Sequence, residues 1–328
     1  MPNDPHPYSQ LTPDVVLNAL DGVGLLCDGR LLALNSYENR VYQVGQEEGP
    51  PVVAKFYRPA RWSDAQILEE HAFASELSER EVPVVAPLAP KDKTLHETGP
   101  FRFAVFPRRG GRAPELDRQG VLEWLGRYIG RIHAVGRAKP FKQRTTIDIA
   151  SMGTEPRDWL LASRFIPPDL REAWKSAANL ALENVARCFE RAGKYATLRL
   201  HGDCHAGNVL WTDQGPHFVD LDDARMGPAV QDLWMLVSGD RESMCAQLGH
   251  ILRGYEDFSE FDDRELHLFE ALRTLRLIHY SAWLARRWDD PAFPIAFPFF
   301  DTPRYWQDRV LELREQIAAM QEAPLVPA

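Results

Sequence analysis

The run His201-Gly-Asp-Cys-His-Ala-Gly-Asn208 sets a carboxylate and a carboxamide five positions apart, in a loop between apolar stretches. A second carboxylate, Asp220, follows twelve residues later, directly after the apolar pair Phe218-Val219. Few reactions need these groups in this order. In phosphoryl transfer one Asp accepts the proton of the attacking hydroxyl, while an Asn and a later Asp hold the magnesium that bridges the nucleotide phosphates. The spacing therefore predicts Asp203 as proton acceptor, with Asn208 and Asp220 as metal ligands. Asp222 shares the side parity of Asp220 and can assist with the metal.

Such a loop needs a cation for the phosphates. Lys55 lies in the apolar run Val52-Val-Ala-Lys-Phe-Tyr57. Alternation puts Val53, Lys55 and Tyr57 on one side of a strand and Val52, Ala54 and Phe56 on the other. Alone, Lys55 would read as an edge lysine extending its amine to water. Together with the downstream loop it reads as the lysine that reaches the α- and β-phosphates. Its fixing carboxylate is Glu69 or Glu70 in the next helix; Glu70, one turn before Phe73, is preferred. The turn Asn35-Ser-Tyr-Glu-Asn39 has no glycine, but its amides and the Ser36 hydroxyl can still meet a phosphate. Nucleotide base would pair with backbone groups near Phe106 and Arg108. His201 reads as a brace of the loop. Asp232, near the start of an apolar helix, reads as a buried acid holding the loop backbone, or as an acid favoured by the helix dipole. A zinc site of His201, Cys204 and His205 is disfavoured because the ligands crowd one turn without a fourth. Cys204 reads better as an inert small residue than as a redox-sensitive thiol.

The elements that must position these groups follow from periodicity and turn chemistry. Residues 1–10 read as a loose polar arm, and Thr12-Pro13-Asp14 as the opening of a short helix through Leu20. Strands are predicted at Leu31–Leu34, Arg40–Val44, Val52–Tyr57, Val84–Leu88 and Phe101–Phe106. Ser63 and Gln66 form a capping box for a helix carrying Ile67, Phe73 and Leu77. Pro107-Arg-Arg-Gly-Gly-Arg112 reads as a linker. Beyond it, helices are predicted at 115–136, 169–191, 229–238, 241–257, 262–288 and 303–321, interrupted by β segments at 198–201, 208–211 and 217–220. The tail from Glu322 reads as frayed. The expected class is α+β, a bilobal protein-kinase-like fold. A small N-lobe at 1–107, with an antiparallel sheet plus one helix, precedes a larger, mainly helical C-lobe at 108–328. Only eleven residues separate Asp220 from Asp232, too few for a protein-kinase activation segment with its phosphosite.

Bulk properties narrow the partners. The 328 residues carry a net charge of −9 with no Lys/Arg stripe, which argues against nucleic acid and acidic membrane surfaces. Four scattered cysteines fit neither a zinc ribbon nor a disulfide framework. No signal-peptide pattern opens the chain and no apolar run approaches the ~18 residues of a membrane span, so a cytoplasmic location is expected; a monomer is expected as well. Trp283, Trp288, Asp289 and Asp290 cluster where an acceptor pocket would lie; such aromatics and acids could grip a cation.

His-Gly-Asp-x-His-x-x-Asn with a downstream Asp resembles the aminoglycoside phosphotransferase and choline kinase-like superfamily. Further blocks resemble its bacterial stress-response kinases: Leu34-Asn-Ser-Tyr-Glu-Asn-Arg-Val-Tyr42, Lys55-Phe-Tyr-Arg-Pro59, Ile67-Leu-Glu-Glu-His71, Gly227-Pro-Ala-Val-Gln-Asp-Leu-Trp-Met-Leu236 and Asp290-Pro-Ala-Phe-Pro294. The resemblance implies an ATP- and magnesium-dependent Ser/Thr protein kinase linked to stress protection and cell survival. It puts the proton acceptor on Asp203, the metal ligands on Asn208 and Asp220, and an ATP contact on Ser36. A kinase of small alcohols, such as amino alcohols, sugars or aminoglycosides, uses the same motif and is the alternative.

Overall fold

The computed structural model describes residues 6–328. They pack as two compact units that interleave along the chain. The smaller comprises the chain to Pro114 with Phe141–Arg144 and Ala206–Ala224; the larger comprises Glu115–Pro140, Thr145–His205 and Arg225–Ala328. The expected division at residue 107 is a single cut, whereas the packed units exchange two segments of chain.

In the small unit, α1 (Pro13–Gly22) precedes β1 (Cys27–Ala33), β2 (Arg40–Gln46), β3 (Val52–Phe56), α2 (Asp64–Glu79), β4 (His96–Thr98) and β5 (Phe101–Pro107). The strands form one antiparallel sheet in the order β1-β2-β3-β5-β4. Period-two alternation explains its packing. Val52, Ala54 and Phe56 of β3 enter a core with Val44, Phe101, Phe103 and Val105, covered by Val16 and Leu20 of α1. Tyr57 packs with Ile67 of α2 and Ala104, in a separate cluster. Both helix starts use local chemistry: Thr12 accepts from the Val15 amide, and Ser63 and Gln66 cap each other reciprocally.

The strand expected at Val84–Leu88 is not part of this sheet. Pro83 and Pro87 have no N–H to give a ladder, and the segment makes one bridge, Val84 to Phe218. The fourth strand is His96–Thr98 instead. Of the expected loose arm, residues 1–5 lie outside the described residues. Tyr8 is buried, stacks on Phe101 and donates its hydroxyl to the Glu38 carbonyl, so that part of the arm is anchored. The presumed linker is tied down as well. Arg112 and Trp211 exchange both backbone hydrogen bonds, at 3.1 and 2.7 Å. Gly111, at φ +145°, lies where a Cβ would come 2.8 Å from the Leu210 side chain.

The large unit is mainly helical: α3 (Val121–Gly136), α4 (Glu155–Ala162), α5 (Arg171–Ala192), α6 (Gln231–Trp234), α7 (Arg241–Tyr255), α8 (Phe269–Arg286), α9 (Ala292–Ala296) and α10 (Pro303–Gln321). The helix expected over 262–288 is two pieces, a 3-10 turn at Asp263–Leu268 and then α8. The C-terminal tail is docked rather than frayed. Leu325 is buried, and Arg241 donates to the carbonyls of Ala323 and Pro324. Among the described residues, no helix is long and apolar enough to cross a membrane. The fold is α+β and protein-kinase-like, with an antiparallel sheet in one unit and helices dominating the other.

Candidate active site

Strand β3 delivers Lys55 into a nest of carboxylates in the small unit. Its Nζ donates to Asp220 Oδ1 at 2.7 Å and lies 3.2 Å from Asp222 Oδ1. Burial disfavours a charged lysine, yet Asp220, Asp222 and Glu70 outweigh it and raise the Lys55 pKa above its ordinary value. Asp222 is buried and gathers donors around it: the Arg61 guanidinium pairs with it, and the Asn39 carboxamide donates Nδ2 at 3.2 Å. Burial alone would raise its pKa; Lys55 and Arg61 prevail and hold it at about 2. Asp222 is therefore a counter-ion for Lys55 and Arg61, a role its side parity with Asp220 did not reveal.

Glu70 and Glu69 take opposite roles. Glu70 is buried on the inner face of α2, with His71 Nε2 3.8 Å and the Arg144 guanidinium 3.9 Å from its Oε2. Its charge reaches Lys55 electrostatically, but the ion pairs of Lys55 go to Asp220 and Asp222. One lysine cannot serve three carboxylates, and burial lifts Glu70 to about 7. The expected direct Lys55–Glu70 pair is thus absent because the two aspartates occupy the amine. Glu69 points elsewhere and accepts the successive amides of Lys142, Gln143 and Arg144, at 2.5, 2.8 and 2.8 Å. That strap is fixed further by Arg144, which donates to the carbonyls of Gln66 and Asp222 and lies over the Trp62 ring.

The hairpin Val209–Thr212/Gly215–Phe218 positions the proposed metal ligands. Val209 faces Phe218 in register, and the Val219 amide donates to the Asn208 carbonyl, so Asn208 and Asp220 leave the same end of the hairpin. Asp220 adopts the left-handed conformation, φ 61° and ψ 61°, which is uncommon outside glycine and best tolerated by Asp and Asn. Its carboxylate is about half exposed even while bonded to Lys55. One accessible carboxylate and one carboxamide are hard oxygen donors. They fit magnesium, which keeps several waters and takes its remaining ligands from phosphate. Ser36 donates its hydroxyl to the Asn39 carbonyl within the β1–β2 turn. Phe106 lies opposite Val53 and edge-on to the His71 ring, and Arg108 donates to Gln43 Oε1 at 3.2 Å.

Asp203 belongs to the large unit, where a buried hydrogen-bond network holds its loop. Asp232 accepts the His201 amide on Oδ2 and the Gly202 amide on Oδ1, each at 2.8 Å. Its Oδ2 also meets His133 Nε2 at 3.0 Å, and His133 Nδ1 meets the Tyr255 hydroxyl at 2.9 Å. Gln231 donates to the Gly202 carbonyl. Gly202 takes φ +86°, which suits its lack of a Cβ. His201 is fully buried within this loop. Burial pushes the Cys204 thiol well above its ordinary pKa, so it is protonated and inert. The Asp203 carboxylate itself is met by Arg276 of α8, at 2.6 Å.

On the acceptor side the expected cluster is divided. Trp288 packs against Phe165 and Phe300, and Asp290 is buried, accepting the Ala292 amide. Trp283 stacks on Tyr280, one turn beyond Arg276 on α8. A groove of about 550 Å3 opens beside Tyr280, lined also by Phe299, Tyr305 and the ion pairs Arg304–Asp308 and Arg309–Glu312. Its acids come from α10 rather than from Asp289 and Asp290. Arg61, Arg144, Asn39 and Arg276 are the participants that sequence reasoning missed; Arg276 lies in the apolar run Leu275-Arg-Leu-Ile278, and none belongs to a local pattern that names its partner.

Fold and residues together define a phosphotransferase of the protein-kinase-like class. The profile of the "Phosphotransferase enzyme family" matches residues 30–269, and the chain belongs to that family. It is 48% identical to "Serine/threonine protein kinase RdoA" of Salmonella typhimurium strain LT2, over 97% of this chain and 96% of that protein. It is likewise 48% identical to "Stress response kinase A" of Escherichia coli strain K12, over 99% and 98%. Among solved structures it is similar to amicoumacin kinase hAmiN in complex with AMP-PNP, Ca2+ and Ami, with a TM-score of 0.72, 20% identity and coverage of 96% and 95%. The microcompartment-associated aminopropanol kinase gives a TM-score of 0.70 at 17% identity, over 93% and 96%. At such identities these two structures speak for the fold alone.

Proposed function

We propose that this chain transfers the γ-phosphoryl group of ATP to serine and threonine hydroxyls of proteins, in the bacterial cytoplasm, as a monomer serving stress response and survival. The observation that carries the acceptor class is the 48% identity, over nearly the whole chain, to a relative named as a serine/threonine protein kinase. In this reading the Asp203 carboxylate accepts the hydroxyl proton as the new O–P bond forms and the bond to the β-phosphate oxygen breaks, releasing ADP. Lys55 binds the α- and β-phosphates, Ser36 contacts ATP, and Asp232 with His201 keeps the loop in place. Base pairing falls to backbone groups near Phe106 and Arg108. Asn208 and Asp220 would hold Mg2+, which when bound neutralises charge on the phosphates.

A second reading, phosphorylation of a small alcohol, is favoured by the groove beside α8, where the aromatic walls Tyr280, Phe299 and Tyr305 are joined by acids paired with Arg304 and Arg309. Purified enzyme with γ-labelled ATP separates the two, assayed with proteins and with a panel of amino alcohols, sugars and aminoglycosides. Label on protein Ser/Thr supports the first reading; fast turnover of one small alcohol refutes it. Asp203→Ala should lower turnover by about 10²–10⁴ while nucleotide binding survives. Unchanged phosphorylation by that variant would overturn the assignment of the base.

A further inference from the structure

The backbone and the side chain of Asp203 are held from different places. Asp232 and Gln231 fix the peptide groups around His201 and Gly202, but a hydrogen bond to the preceding backbone leaves the rotamer of Asp203 undetermined. From 73 residues downstream, Arg276 donates Nη1 to Asp203 Oδ1 at 2.6 Å and so engages the side chain itself. The other oxygen, Oδ2, lies 3.5 Å from His205 Nε2.

We propose that Arg276 is a positioning residue for phosphoryl transfer, engaging Asp203 through Oδ1 and so orienting its carboxylate toward the acceptor hydroxyl. The inference rests on the proton-acceptor reading of Asp203. Three physical points carry it. The contact is at the short end for a charge-assisted N–H···O bond, which gives it directional force. Arg276 projects from α8, a helix anchored by buried Leu272, Leu275 and Ile278, so the guanidinium is mounted on a rigid element. A carboxylate beside a polyphosphate also repels it, and a fixed cation on the carboxylate offsets that charge. Arginine suits the task because its planar fork is preorganised and its charge is permanent. The Arg276 side chain is 38% exposed, so its removal should leave the fold intact.

The test compares wild type, Arg276→Ala, Arg276→Lys, Asp203→Asn and the Asp203→Asn/Arg276→Ala double variant by steady-state phosphorylation of casein and by intrinsic ATP hydrolysis, with thermal melting as a control. Misplacing the base should lower kcat of Arg276→Ala by about 10²-fold, with KM for ATP and the melting temperature unchanged. Arg276→Lys should recover part of the loss, and added guanidinium chloride at low millimolar concentration should partly rescue Arg276→Ala only. The double variant should be no slower than Asp203→Asn alone, because Arg276 acts through that carboxylate. Wild-type kcat in Arg276→Ala beside an inactive Asp203→Asn overturns the role of Arg276 and leaves the base assignment standing. A fall in kcat that tracks a lowered melting temperature, with no rescue, also overturns it. Full activity in Asp203→Asn overturns the underlying reading and the inference with it.

Discussion

Replacing Glu70 by glutamine should make the small unit more stable at alkaline pH and the enzyme less active. Glu70 is buried, one of its oxygens has no hydrogen-bond partner, and Lys55 is engaged by Asp220 and Asp222. Burial raises its pKa from 4.5 to about 7 even after the attraction of Lys55 and Arg144 is included. The sign follows from linkage. Between pH 4.5 and 7 the unfolded chain releases this proton while the folded chain retains it, so stability falls as pH rises through that window and levels off above it. At ~1.4 kcal/mol per pH unit, the rise corresponds to ~3 kcal/mol of stability lost by pH 8. Glutamine resembles the protonated acid in shape and charge, so Glu70→Gln should match wild type near pH 4.5 and exceed it by ~3 kcal/mol at pH 8. Urea unfolding at a series of pH values measures the difference, and hydrogen exchange of peptides covering β3 and α2 locates it. Activity should fall nonetheless, since the ionised carboxylate shares with Asp222 the balancing of Lys55 when Asp220 turns to a metal. Parallel pH–stability curves for the two proteins, or a variant less stable at pH 8, would refute the reasoning.

Two further perturbations address the neighbouring groups. Asp220→Asn keeps a residue type that tolerates the left-handed backbone at this position; it should weaken nucleotide binding about tenfold or more, ~1.4 kcal/mol or above, in calorimetry with magnesium, and much less without it. Glu69→Ala releases three backbone amides of the strap and should cost about 2 kcal/mol, as for hydrogen bonds to a charged group. Its signature is faster exchange at Lys142, Gln143 and Arg144, and unchanged protection there would show that the carboxylate does not hold the strap.

What could be read from sequence divides along the reach of the interactions. The capping of α1 by Thr12 and of α2 by Ser63 and Gln66 depends on atoms within one turn, and both appear as expected. The alternation that sends Val52, Ala54 and Phe56 into the core also leaves Lys55 on the opposite side of β3, and this too is local. Asp203, Asn208 and Asp220 stand out in the sequence because the chemistry proposed for them constrains spacing along a loop and hairpin. The cations that surround them were not. Arg61 is 161 residues from Asp222, Arg144 is 78 from the carbonyl it binds, and Arg276 is 73 from Asp203. An arginine looks like a solvated surface charge, whether in a polar stretch or, like Arg276, on a helix beside Leu275 and Leu277, until tertiary folding supplies its carboxylate. The misread segments fail for the same reason. Tyr8 and Leu325 lie in stretches whose order comes from docking onto distant elements, and Val84–Leu88 has strand-forming residues but prolines where a ladder needs donors. Sequence thus reveals which groups could do the chemistry, whereas the ion pairs that orient and charge-balance them arise only in the folded chain. That is why Arg276, absent from any local motif, is the informative place to perturb.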